Sequence, residues 1–162
     1  MSNRRLAARF VPGFIGVPGQ RTFLLEVDDA GGRVWYLLEK AQVALLAEQS
    51  AELLETAGLT GVGASLEPGP VHEPEQIEFR IGQIEIVFVE EEGQIDVVLA
   101  PVPEDTPPVV HSVSPAQLDA AVRIGRMAIS GGRPKCDRCG LAMDPEGHVC
   151  PTTNGDLRHH RP

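Results

Sequence analysis

Between Ile77 and Leu99 apolar side chains return at every second position: Ile77, Phe79 and Ile81, then Ile84, Ile86 and Phe88, then Ile95, Val97 and Leu99. A period of two turns one face of an extended chain towards a core and the other towards water. Strands of this kind leave their apolar face wet unless another element covers it, so the rest of the chain must supply the cover. Gly82-Gln83 reads as a first turn and Glu92-Gly93 as a second, with Glu90-Glu91-Glu92 as a solvated tip. Residues 76–102 are therefore predicted to form a three-stranded meander.

Two segments have the periodicity to cover such a sheet. From Glu39 to Ala57, Val43, Leu46, Leu53, Leu54 and Ala57 share a helical stripe, Glu48, Glu52 and Glu55 point away, and Gly58 is a natural stop. At Ser114-Pro115-Ala116-Gln117 a capping box with proline at the first helical position opens a second helix, predicted to stop at Gly131. Its buried stripe is Leu118, Ala121, Val122, Gly125 and Ala128. Gly125 costs about 1 kcal/mol of propensity there, which predicts a close approach to the sheet or the other helix. Upstream, Thr22 to Asp28 and Arg33 to Leu38 flank the turn Asp29-Ala30-Gly31-Gly32, a hairpin signal. Trp35 and Tyr36 are consecutive on that second strand, so one faces the core and the other faces away, where it could anchor a partner. Leu59 to Pro74 and Pro101 to Pro108 are proline-rich connections. The expected fold is α+β: about five antiparallel strands with two helices on one face, plus a small C-terminal zinc-binding knuckle. The body is assigned to residues 1–132, including a Gly-rich loop over 10–21, and the tail to 133–162.

The net charge of −9 is unevenly placed. Residues 1–21 carry 4 basic and no acidic side chains, residues 22–132 carry 5 basic and 19 acidic, and the remainder carries 5 and 4. So acidic a centre repels a phosphate backbone, and neither basic end has the aromatic interleaving of a nucleic-acid binder, so nucleic acid is an unfavoured partner. No apolar run approaches the roughly 20 residues of a membrane span. The arginines near the start resemble those of a signal peptide. However, the apolar stretch Phe10 to Val17 is broken by Pro12, Gly13 and Gly16 and lacks a small-residue cleavage pattern, so a cytoplasmic location is expected.

All three cysteines, Cys136, Cys139 and Cys150, fall within fifteen consecutive residues. An odd, clustered set argues against a disulfide framework and for metal ligation in a reducing compartment. Cys136-Asp137-Arg138-Cys139-Gly140 can aim two thiolates at one point from a tight turn, and Gly147-His148-Val149-Cys150 adds an imidazole and a third thiolate. Cys136, Cys139, His148 and Cys150 complete a tetrahedral zinc shell with no open position, which marks a structural site. Iron is the runner-up metal. The short His148-x-Cys150 spacing strains a tetrahedron, and Asp144, His159 or His160 is the substitute ligand if His148 cannot reach. The tail is too polar to order itself by burial, so bound metal would supply the ordering free energy.

Gly13, Gly16 and Gly19 recur at every third residue before Arg21. Such a loop can offer successive backbone N–H groups to a small anion beside a fixed positive charge, or can simply route the N-terminal segment round a sheet edge. It lacks Gly-Lys-Ser/Thr and precedes a strand, so it is neither a Walker loop nor a dinucleotide fingerprint. His72 with Glu73 and Glu75, and His111 with Ser112, are conceivable acid–base pairs, but they fall in predicted loops where solvated side chains are the ordinary outcome. No Gly-x-Ser-x-Gly, His-Glu-x-x-His or paired-carboxylate pattern is present.

Three stretches together resemble one family. They are Phe10-x-x-Gly13-x-x-Gly16-x-Pro18-Gly19-x-Arg21-x-Phe23-x-Leu25, then Leu38-Glu39-Lys40-x-Gln42-Val43, then the tail from Gly132-Arg133-Pro134 through Cys136, Cys139, Asp144-Pro145-Glu146-Gly147-His148, Cys150-Pro151 and Asn154-Gly155. They look like the actinobacterial domain-of-unknown-function family 3090, over nearly the whole chain. The resemblance implies a bacterial cytoplasmic protein with the glycine-rich loop and metal tail as hallmarks, and it supplies no substrate. It also implies a gene setting near histidine-phosphatase-like and kinase-like proteins. Asp156-Leu157-Arg158-His159-His160 departs from the family's short basic finish.

Two functions follow as expectations. The first is a non-enzymatic binding or adaptor protein that uses the zinc-stabilised tail or the Arg21 loop to hold a protein partner. The second is an enzyme or ligand-binding domain that takes a small anionic metabolite on Gly13, Gly16, Gly19 and Arg21. A homo-oligomer formed through a sheet edge is compatible with either.

Overall fold

In the computed structural model, which describes residues 4–17, 19–103 and 105–130, two helices pack against one face of a seven-stranded mixed sheet. The strands are β1 (Arg4–Leu6), β2 (Arg9–Ile15), β3 (Thr22–Asp29), β4 (Gly32–Leu38), β5 (Ile77–Val89), β6 (Gln94–Val102) and β7 (Val109–Val113). The helices are α1 (Lys40–Thr56) and α2 (Pro115–Ser130). Strand order is β1-β7-β6-β5-β4-β3-β2. The β1–β7 and β4–β5 pairs are parallel and the other four antiparallel.

The two ends of that order are consecutive pieces of one segment. Ala7 N–H donates to the Ser112 carbonyl of β7 at 2.8 Å, and Ala8 N–H donates to the Asp28 carbonyl of β3 at 2.7 Å. One stretch of chain thus changes partners between adjacent residues and brings the two ends of the strand order next to each other. The inward faces of β3 (Phe23, Leu25, Val27), β4 (Tyr36, Leu38) and β6 (Ile95, Val97, Leu99) meet Val43, Leu46 and Leu54 of α1 and Leu118, Ala121 and Val122 of α2 in one core.

The α+β class, the hairpin and both helices stand, while four expectations about the sheet need correcting. The strands number seven, not about five, and the sheet is mixed, not antiparallel. Residues 10–15, expected to be part of the loop over 10–21, form with Arg9 a strand paired from Arg9↔Asp28 to Ile15↔Thr22. Gly82-Gln83 is not a turn: β5 runs straight through it with an irregular register between Ile81 and Gln83. A Cβ at Gly82 would stand 2.5 Å from Val102 Cγ2, so the glycine serves a close strand approach.

The helix ends follow local chemistry. Gly58 (φ 72) ends α1 in a Schellman arrangement, with Gly58 N–H on the Glu55 carbonyl and Leu59 N–H on the Leu54 carbonyl. Ser114 N–H donates to Gln117 Oε1 at 2.8 Å and Gln117 N–H to Ser114 Oγ at 3.1 Å, the reciprocal cap expected for α2. The α1–β5 connection first lies on α2, where Asp119 accepts from Gly61 and Gly63 N–H at 2.9 Å each, and then crosses to the outer face of β2 and β3. No helix among the described residues is long and apolar enough to cross a membrane.

Candidate functional site

Gly13, Gly16, Gly19 and Arg21 do not converge on one point. Gly13 lies within β2 on its outer face, where an added Cβ would meet Val71 Cγ1 at 2.9 Å. Gly16 (φ 95) makes the tight turn out of β2, its Cβ position blocked by the Gln20 carbonyl at 2.6 Å, and Gly19 (φ 88) faces open space. Arg21 turns inward. Its guanidinium lies 5.0 Å from the Phe14 ring centroid and 5.2 Å from that of Phe23, and Nη1 donates to the Ala128 carbonyl at 2.6 Å. Phe14 and Phe23 are register partners across β2 and β3, so the hairpin builds an aromatic seat for a cation that caps the last turn of α2. Cys136, Cys139, His148 and Cys150, with the substitutes Asp144, His159 and His160, lie outside the described residues.

On the outer face of the sheet Glu26 is fully buried. Its Oε2 accepts from Trp35 Nε1 at 2.9 Å and from His72 N–H at 2.6 Å, and its Oε1 pairs with Arg9 Nε at 2.6 Å and His72 Nδ1 at 2.9 Å. Burial pushes this carboxyl up, but the His72 backbone and ring, Arg9 and Trp35 outweigh it and hold the group at about 2. Arg9 reaches further, to the carbonyls of Pro68 and Pro70, so one ion pair clamps the proline-rich connection across β2 and β3. Trp35, expected to be outside if Tyr36 is inside, lies beneath this connection and is not exposed, so neither aromatic is free to anchor a partner. The buried charge has a signal in sequence: Glu26 stands alone in the apolar run Phe23-Leu24-Leu25-Glu26-Val27.

His111 is the second departure. It was expected in a solvated loop and sits inside β7, 1% exposed. Its Nε2 lies 2.6 Å from Tyr36 Oη, with the rings edge-on at 5.5 Å. Burial, with Arg5 adding to it and Asp29 opposing, lowers His111 to about 4, and burial pushes the Tyr36 phenol up, so both are neutral at physiological pH. With the phenol donating to Nε2, the remaining ring proton sits on Nδ1, which has no partner among the described residues. Its neighbours Val109, Val110 and Val113 are the strand signal that the proline-rich context hid.

The pair forms the floor of a hollow of about 230 Å³ at the end of the sheet that carries the Asp29–Gly32 turn, with Arg5, Asp29, Arg33 and Glu78 around it. The phase of the strands explains this polarity. Asp29 continues the inward series Phe23, Leu25, Val27, and Arg5 is in register with His111 across β1 and β7, so inward positions turn polar where the core ends.

The model of a protein family described as "Protein of unknown function (DUF3090)" matches residues 4–150. No curated protein and no solved structure matches the chain.

Proposed function

The chain belongs to domain-of-unknown-function family 3090 (DUF3090), and from that premise we propose that it is a non-enzymatic binding protein, an adaptor whose C-terminal segment holds a structural zinc ion and engages a protein partner. The observation that carries this reading is the seat of Arg21. The cation of the glycine-rich loop binds the Ala128 carbonyl and lies over two rings of the β2–β3 pair. It anchors the helix from which the cysteine-bearing segment departs, and the loop works as a brace for that departure. The alternative, a small anionic metabolite held on Gly13, Gly16, Gly19 and Arg21, draws less support because these groups do not face one another.

The donor set supports zinc. Cys136, Cys139, His148 and Cys150 supply three thiolates and an imidazole, a full protein shell whose bound ion orders a polar segment and leaves no site for a reacting water. Neither buried acid–base group favours catalysis: Glu26 is held ionised by four donors, and burial holds His111 neutral, well below its ordinary titration range.

The test is elemental analysis of protein purified without added metal, alongside Cys139→Ala. One zinc per chain that disappears in the variant, with the unfolding transition of the body retained, is the expected result. A metal-free wild type with an ordered tail would refute the reading.

A further inference from the structure

The hollow above Tyr36 and His111 has the features of a ligand site and no part in the adaptor reading. We infer that it binds a small zwitterion, a molecule of amino-acid type carrying one carboxylate and one protonated amine.

Size is the first constraint. About 230 Å³ lies below the range of pockets that hold nucleotides or drug-sized molecules and suits a ligand of roughly ten non-hydrogen atoms. Charge is the second. Arg33 is matched by Asp28 through bonds of 2.7 and 2.9 Å, which leaves Arg5 as the cation facing the hollow and Asp29 and Glu78 as its anions. Arg5 touches Asp29 only at 3.5 Å and keeps a half-exposed guanidinium able to take a carboxylate. Asp29 is already engaged by Arg5 and by Gly31 N–H at 2.7 Å, so the exposed Glu78 is the acceptor for an ammonium. A purely anionic ligand would meet Glu78 and Asp29, and a purely cationic one would meet Arg5; a molecule with both charges meets neither repulsion.

The floor gives the third constraint. His111 is almost wholly buried, lines the hollow, and carries an Nδ1 without a partner among the described residues. A buried ring nitrogen left without a partner is costly whether it donates or accepts, and a polar ligand atom at the floor would remove that cost. At Gly31 on the rim, a Cβ would stand 3.2 Å from Asp29 Oδ1, close enough that the carboxylate would have to shift slightly, and in ordinary contact 3.8 Å from Arg5 Nη1.

The experiment is a titration of the full chain with the twenty standard amino acids, and with acetate and methylammonium as single-charge halves, followed by NMR of the His111 ring and the Arg5 side chain. The expected result is a saturable shift of both signals by at least one amino acid, with neither half-molecule reproducing its affinity. Arg5→Gln and Glu78→Gln, both at exposed side chains, should each weaken that ligand by about tenfold or more. No saturable shift with any amino acid overturns the inference. So does equal binding of acetate, which would make this an anion site, or binding indifferent to Glu78→Gln. None of these outcomes bears on the zinc measurement.

Discussion

Gln117 Nε2 donates to the Ala7 carbonyl at 3.0 Å while Gln117 Oε1 accepts from Ser114 N–H at 2.8 Å. One side chain therefore caps α2 and holds the residue next to which the first segment passes from β7 to β3. Gln117→Glu keeps an acceptor for Ser114 and removes the donor to Ala7, whereas Gln117→Ala removes both. Losing a cap costs about 0.5–2 kcal/mol, and the orphaned carbonyl adds to it. Both variants should unfold at lower urea than the wild type. A glutamate variant of wild-type stability would show that the Ala7 bond contributes nothing.

The Glu26 clamp predicts an acid limit. Its carboxyl is held at about 2 in the folded protein, against the ordinary 4.5. The unfolded chain therefore takes up a proton first, so this contribution is complete above about 4.5 and is lost as pH falls towards 2. Glu26→Gln removes the charge and leaves Arg9 uncompensated beneath the connection, a change of about 3–5 kcal/mol for a broken buried pair. Urea unfolding between pH 2 and 5 should lose much of its pH dependence in the variant, and proteolysis between Leu66 and Glu75 should quicken. An unchanged profile would mean that Glu26 is not the group titrating.

His111 acts in a higher window. It titrates at about 4 when folded and near 6.5 when free, so between those values the unfolded chain binds the extra proton. The contribution of the neutral, buried ring is whole above 6.5 and declines as pH falls to 4, by roughly 3 kcal/mol in all. His111→Gln should flatten stability between pH 4 and 6.5 and leave the Glu26 slope below 4.5 in place. Loss of both slopes together would show that the two sites do not act separately.

The elements that sequence reasoning located are those whose determinants are local. The Ser114/Gln117 cap, the Gly58 stop and the Asp29–Gly32 turn each reside within a few residues, and each stands where expected. What it missed depends on partners far along the chain. Residues 9–15 contain Pro12 and Gly13, poor strand formers alone, yet they pair because Thr22 to Asp29 offers a ladder and Val71 fills the space over Gly13. Val109 to Val113 was hidden by its prolines and becomes a strand between Leu99 and Arg4. Of the site residues, Arg21 was singled out for its charge, but its seat needs Ala128, more than a hundred residues away. Tyr36 and His111 were each noticed, but nothing local says that they meet.

Gly125 offers a test by stabilisation. An added Cβ would find Pro12 Cγ and Val43 Cγ1 at 3.6 Å and Ala47 Cβ at 3.7 Å, ordinary contact distances. The close approach expected to the sheet or the other helix is no tighter than this ordinary side-chain contact with each, which leaves room for a methyl group. Gly125→Ala should then recover about 1 kcal/mol of helix propensity and raise the melting temperature by a few degrees. A lower melting temperature would mean that α1 and α2 cannot accept even that contact.

Arg21 separates charge from shape. Its planar guanidinium lies over both Phe14 and Phe23 and still reaches the Ala128 carbonyl, a combination that Arg21→Lys cannot fully reproduce because an ammonium is a point charge without the flat, forked donor set. Arg21→Met retains a long apolar stem but gives up the hydrogen bond and the positive charge at the negative end of α2. Amide exchange over the last turn of α2, through Ser130, should quicken in both variants, more in the methionine, while α1 stays protected. If the adaptor reading holds, the same variants should weaken capture of the partner without releasing zinc, because the brace is lost and the ligands are not. Zinc loss in Arg21→Met would instead tie the loop to the metal site itself.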